Sequence, residues 1–154
     1  MNKTFYRSEE SIGFLTITAY RMLNSTLRRK LKELNIDLTP DQWGVLVLLW
    51  ERGSATQEEL AAANCVDKSA MSRILSDMRS KGLISKEIDA KNERKKNIRA
   101  TDSSLGLRER VFAAASESMR HALDGVSRED AATCMNVLDA IKRNLQEKYG
   151  KPWG

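Results

Sequence analysis

The chain has one histidine and two cysteines in 154 residues. His121 alone leaves little scope for general-base work, and no phosphate loop or nucleophile–base constellation accompanies it, so an enzyme is not expected. Cys65 and Cys134 fall short of the roughly four closely spaced ligands of a structural zinc site. Neither a metal nor another cofactor is expected. A disulfide would be out of place inside a cell. No apolar run approaches the ~20 residues of a membrane span. The first residues, MNKTFYRSEES, lack the apolar core of a signal peptide. The expectation is a cytoplasmic protein without a membrane partner.

What is present points elsewhere. Hydrophobic residues make up 41% of the chain and charged residues 31%, enough for one core and too ordered a mixture for general disorder. The length suits a single domain over residues 1–154. The formal net charge is +5, yet Lys68 to Arg99 alone carries ten cations against four anions. The rest of the chain is close to neutral. Basic character concentrated in one segment is the footprint of a polyanion-binding face, whereas solubility charge would be spread evenly. No low-complexity stretch or internal repeat interrupts the chain.

Taken in order, residues 11–35 repeat Ile12, Leu15, Ala19, Met22, Leu23, Leu27, Leu31 and Leu34 at spacings of three and four, the pattern of a long amphipathic helix. Ser8, Ser11, Glu9 and Glu10 suit its start, and Asn35 can close it. Thr39-Pro40-Asp41-Gln42 makes a capping box with proline at the first helical position, and Leu38 and Trp43 form its staple. Trp43, Leu46, Val47 and Trp50 are read as the inward face of this helix, which Gly53 ends. Thr56 and Glu59 make a second capping box for a short helix from Gln57 to about Ala63. Asn64-Cys65-Val66 then turns tightly into a third helix capped by Asp67. Its apolar face is Met71, Ile74, Leu75 and Met78. Lys68, Ser69, Ser72, Arg73, Ser76 and Arg79 fall mostly on the other side.

Gly82 ends that helix after Lys81. Leu83 to Ile88 alternates like a strand, Asp89 to Lys96 is a cationic tip, and Asn97 to Thr101 can return as a second strand. A long helix begins near Thr101 or Asp102, with Leu105, Val111, Phe112, Ala115, Met119 and Leu123 as its stripe. Asp124-Gly125 breaks it. Ser127 caps a last helix whose apolar face is Ala131, Cys134, Met135, Leu138, Ile141, Leu145 and Tyr149. A short helix, a tight turn and a polar-faced helix form a helix-turn-helix pattern. Three long amphipathic helices at the chain ends offer more apolar surface than one chain hides, which suggests a homodimer.

With these elements assembled, the chain resembles the MarR family of winged helix-turn-helix transcription regulators. LTPDQWGVLVLL is similar to the family's second helix, and TQEELAAANCVDKSAMSRILSDMRSKGLI to its helix-turn-helix and the start of the wing. DAKNERKKNIRAT has the length of the family's wing, with Arg94 at the tip arginine and Thr101 at the closing threonine. Asn92 departs from the family's usual aspartate, Ala100 from its leucine, and Cys65 stands at a turn position that is often glycine. The resemblance implies a mainly α fold with a small β-wing. In it, a winged helix-turn-helix lobe at residues 36–101 is flanked by dimerisation helices at 8–35 and 102–149. It also implies a homodimer whose recognition helices enter the major groove of double-stranded DNA, and a small aromatic or anionic effector that releases it.

On this reading Gln57, Lys68, Ser69, Ser72 and Arg73 face the groove, where serine can donate or accept and arginine can pair with guanine or phosphate. Two readings of Arg73 stand open, a DNA contact and an ion pair with Asp77 four residues on. Arg94 is expected at the wing tip, with Lys95 and Lys96 on phosphates, which position without specifying sequence. Cys65 precedes a helix N-terminus and fits either an oxidation sensor or a small turn residue. Cys134 is read as core, and His121 as a surface or interface residue. Trp43, Trp50, Phe14, Tyr20 and Phe112 fit core packing or a ligand cavity. The alternative to a DNA-binding repressor is a winged-helix protein-interaction module with an acidic partner, since fold alone does not decide function. Against it, a docking helix would expose an apolar or aromatic anchor, not two serines and an arginine.

Overall fold

A computed structural model describes residues 11–89 and 92–150. Ser8, Glu9 and Glu10, read as part of the first helix start, lie outside the described residues, as does the 151–154 tail. Helix α1 spans Ile12–Glu33, and Ser11 caps it by accepting from the Phe14 N–H. Helix α2 spans Pro40–Arg52 with both halves of its capping box formed: Gln42 N donates to Thr39 Oγ1, and Thr39 N donates to Gln42 Oε1. Helix α3, Gln57–Ala63, has the same reciprocal box between Thr56 and Glu59. Asp67 caps α4, Lys68–Ser80, by accepting from Ala70 N at 2.7 Å. In each box the side chains satisfy amide groups that a helix start leaves without partners.

Strand β1 is the two residues Ala55–Thr56, β2 is Ile84–Asp89 and β3 is Asn92–Ala100. They form one antiparallel sheet in the order β1-β3-β2. The wing is the hairpin of β2 and β3, two strands as expected, and β1, which precedes α3, adds a third strand to its sheet. Ala55 opposite Ile98, and Ile84 opposite Ala100, set the register, and Ala55, Ile84 and Ile98 are all buried. The return strand begins at Asn92, and within the segment read as a tip, Asp89 pairs with Asn92 and Lys96 with Ile88. A shift in register follows Ile88.

The helix after the wing is not continuous. A short α5, Asp102–Leu105, is followed by Gly106 and Leu107 before α6 resumes over Arg108–Ala122. Ser104, fully buried, donates its hydroxyl to Thr101 O at 3.0 Å. Helix α7 spans Arg128–Tyr149, capped by Ser127, and none of its residues is buried. Cys134 is exposed on it, not in a core as the sequence suggested, because no part of the described chain covers that face. Among the described residues, no helix is long and apolar enough to cross a membrane.

The core lies under the helix-turn-helix. Leu27 and Leu31 of α1, Val45, Leu46 and Leu49 of α2, Leu60 of α3, Met71, Leu75 and Met78 of α4, Ile98 of β3 and Val111 of α6 all enter it. The buried face of α2 is Gln42, Val45, Leu46, Leu49 and Trp50, one residue round the helix from the face expected through Val47. Trp43, Trp50 and Phe112 meet edge-on or tilted at 5.3–6.0 Å, so they pack α2 against α6. Phe14 and Tyr20 stay exposed on α1. Lys30 pairs with Glu117 at 2.8 Å and Arg110 donates to Leu34 O at 2.8 Å, tying the second half of α1 to α6.

Gly44 marks a close approach. A Cβ there would collide with the Asn64 side chain, which is held in turn by its own bond to Leu60 O at 2.8 Å. Gly44→Ala is expected to cost about 1–3 kcal/mol by overpacking, read as a lowered thermal midpoint.

Candidate nucleic-acid interface

The outer face of α4 is built by exclusion. Met71, Leu75 and Met78 are fully buried, which turns Lys68, Ser69, Ser72, Arg73, Ser76 and Arg79 to solvent. Gln57, at the first turn of α3, is half-buried, and its Nε2 donates to Lys68 O at 3.4 Å. That bond sets the starts of α3 and α4 side by side, so Gln57, Lys68 and Ser69 share one edge of the lobe. Of the residues expected to face a groove, Gln57, Lys68, Ser69, Ser72 and Arg73 are brought together.

Asp77 is not the partner of Arg73. Its carboxylate accepts from Gln42 Nε2 of α2 and pairs with Lys81 Nζ at 3.3 Å. Lys81 also reaches Asp37 at 2.8 Å, in the loop between α1 and α2. The hydrogen bond from Lys81 holds the Asp37 carboxyl below its ordinary range. The bond to Asp37, outweighing partial burial, raises the Lys81 ammonium. Both are therefore charged near neutral pH. Among the described residues, Arg73 is in no ion pair.

The wing continues this surface. Thr101 Oγ1 donates to Gly82 O at 2.6 Å, and Thr101 N to Leu83 O at 3.1 Å, so the wing's return is fastened to the end of α4. Arg99 and Glu87 pair diagonally across β2 and β3 at 3.0 Å. Arg94, Lys95 and Lys96 belong to β3. Arg94 lies between the paired positions Asn92 and Lys96, where the register of the ladder shifts. The side chains of residues 92–96 lie outside what is described.

Two further surfaces bear on function. An open groove of about 1090 Å³ runs between the first half of α1 and α7, lined by Ile12, Ile17, Tyr20, Leu138, Leu145 and Tyr149. Cys65, half-buried with a φ of +52°, touches its edge. His121 is exposed near the end of α6.

A short helix, a tight turn, a polar-faced helix and an antiparallel wing packed on one core define a winged helix-turn-helix protein. Residues 38–96 match the model of the MarR family. Over that stretch the chain is similar to the MarR family of transcription regulators. It is 26% identical over 129 residues to an uncharacterized HTH-type transcriptional regulator, YybA of Bacillus subtilis (strain 168), covering 84% of this chain and 85% of that one. Its fold is similar to that of BpsR of Bordetella bronchiseptica, whose DNA binding is regulated by 6-hydroxynicotinic acid. That likeness has a TM-score of 0.79 at 18% identity, over 89% of this chain and 96% of the other. It is also similar to the C80S mutant of MarR from E. coli in complex with operator DNA. Here the TM-score is 0.76 at 21% identity, over 84% of this chain and 92% of the other.

Sequence reasoning missed Gln42, Asp77, Lys81 and Asp37 as a connected group. Gln42 was read only as a capping residue and Lys81 only as a cation at a helix end. Asp77 was read as a neighbour of Arg73. The one signal in the sequence was the spacing of Asp77 and Lys81, an acid four residues before a base.

Proposed function

We propose that the chain is a sequence-specific DNA-binding repressor that acts as a homodimer and is released by a small aromatic or anionic effector. The observation that carries this reading is the exposed face of α4. It presents Lys68, Ser69, Ser72 and an Arg73 that is in no ion pair among the described residues, beside Gln57, with no apolar anchor among them. Short hydroxyls let a helix approach base edges closely, and a free guanidinium can pair bidentately with guanine. Arg94, Lys95 and Lys96 add phosphate contacts from the wing, and the lobe at residues 36–101 acts as the DNA-reading unit.

The helices at residues 8–35 and 102–149 are the dimerisation elements in this reading. Support comes from α1 and α7, whose Leu15, Tyr20, Met22, Met135, Leu145 and Tyr149 are each at least half exposed. A two-fold dimer presents two recognition helices, and a separation near ~34–36 Å matches successive major grooves. Similarity to a fold whose DNA binding is regulated by an aromatic acid supports the effector class.

The experiment is selection from a pool of random duplexes, followed by titration of the enriched duplex against a scrambled one at several salt concentrations. The expected result is a (pseudo)palindromic sequence bound ~10³-fold or more above the scrambled duplex, with a steep salt slope. Equal weak binding to both, with no enrichment, would overturn DNA recognition and favour an acidic protein partner. Within that assay, Arg73→Ala is expected to weaken binding to the selected duplex by about 1–3 kcal/mol and to relax preference at one base pair per half-site. An unaltered base preference would remove Arg73 from the interface.

A further inference from the structure

We infer that Gln42 and Asp77 are positioning residues that set the recognition helix α4 in its orientation for DNA, through a bond that touches no DNA. The inference rests on the DNA-binding reading above. Gln42 is only 2% exposed, and both ends of its amide are used. Oε1 accepts from Thr39 N at 3.2 Å and completes the cap of α2. Nε2 donates to Asp77 Oδ2, 35 residues away on α4. Lys81 closes the group, with its ammonium 3.3 Å from Asp77, 2.8 Å from Asp37 and 3.5 Å from Gln42 Oε1.

The chemistry of position 42 separates the two roles. For a capping box alone, glutamate serves as well as glutamine, because only an acceptor is needed. The α3 box of this chain uses Glu59 at the same position. At residue 42 a glutamate would cap α2 but would set its carboxylate against that of Asp77, with no proton to donate. The amide is the side chain that does both.

The bond also supplies what the core does not. Met71, Leu75 and Met78 hold α4 down by apolar burial, which is non-directional and tolerates small rotations of the helix. A charge-assisted hydrogen bond is directional and short, so it fixes the rotation about the helix axis. Asp77 lies one turn beyond Arg73 on the same helix. A fixed Asp77 therefore fixes where Arg73, Ser72 and Ser69 point.

The test uses the selected duplex and its scrambled counterpart with three variants, each checked by thermal unfolding and helical circular dichroism. Gln42→Glu keeps the cap and reverses the contact with Asp77. Its affinity for the selected duplex is expected to fall roughly tenfold, while binding to the scrambled duplex changes far less. The salt slope should be unchanged, since no phosphate contact is lost. Asp77→Asn alone keeps an acceptor for Gln42 and loses the charge, so a smaller loss is expected. Gln42→Glu combined with Asp77→Asn exchanges donor and acceptor and should restore specific binding. A folded Gln42→Glu protein that binds as the wild type does would overturn the inference and leave DNA recognition standing. So would an equal loss on both duplexes, or a double variant no better than Gln42→Glu alone. A wild-type chain that enriches no duplex would remove the DNA-binding reading itself, and this inference with it.

Discussion

In the proposed homodimer, Leu138→Glu is expected to give a folded monomer of 17.4 kDa and to cut affinity for the selected duplex by about 10²–10⁴. Leu138 lies in the middle of α7 and is 43% exposed, so a carboxylate there meets water in the isolated chain and does not disturb its core. In an isologous dimer the same residue appears twice, and both copies lie in the shared face. Covering a leucine is worth about 1.5–3 kcal/mol per side chain, and burying a carboxylate instead carries a penalty of several more. Ultracentrifugation reads the mass. A titration on the selected duplex reads the second effect, which arises because a second lobe on the same molecule binds at an effective concentration that a free monomer never reaches. A variant that stays dimeric would place the interface elsewhere. One that is monomeric yet binds with full affinity would remove the dimer from recognition.

The second large effect is on folding. Leu75→Ala is expected to destabilise the protein by about 2–5 kcal/mol, against a total of about 5–15 for a domain of ordinary stability. Leu75 is fully buried between Met71 and Met78, on the inner side of α4. Truncation loses the transfer energy of the removed atoms and leaves a cavity that packed neighbours fill only partly. Because the site is beneath the recognition helix, DNA affinity should fall further than the unfolded fraction accounts for. Chemical denaturation gives the stability, and titration under native conditions gives the remainder. A cost under about 1 kcal/mol would mean that the core beneath α4 rearranges freely.

Local chemistry was legible in the sequence. Thr39 with Gln42, Thr56 with Glu59, Asp67 and Ser127 each mark a helix start by a bond that spans three residues, and all of them form. The polar face of α4 was legible because three buried residues at helical spacing decide which way the others turn. What was hidden depends on partners distant in sequence. Ala55 and Thr56 become a strand only because Ile98 and Asn97 arrive beside them. The face of α2 was misjudged because its run from Gly44 to Trp50 is apolar on every side. The residue that marks the buried side, Gln42, is polar. Arg73 and Lys81 both lie four residues from Asp77, and helix geometry favours the acid that precedes its base. The pair that forms is the one that rule favours. Thr101, tied to the end of α4, caps the start of α5, which is a separate turn ended at Gly106.

Helix α1 has a consequence for how the molecule moves. Its last turns carry Leu27 and Leu31 into the lobe core, while its first turns, from Ile12 to Tyr20, have their apolar side chains in solvent. At 22 residues it is about 33 Å long, a rod anchored at one end to the DNA-reading lobe and at the other to the face assigned to a second copy. Such a rod is a lever. A tilt of roughly 5° at the outer end carries the anchored end through about 3 Å over that length. The groove-to-groove step of DNA is ~34 Å and does not adjust to the protein without bending. In the proposed homodimer, a displacement of that size in each protomer, with opposite sense across the two-fold axis, is enough to put two recognition helices out of step with successive grooves. Recognition by this molecule is then a matter of span as well as of base contacts.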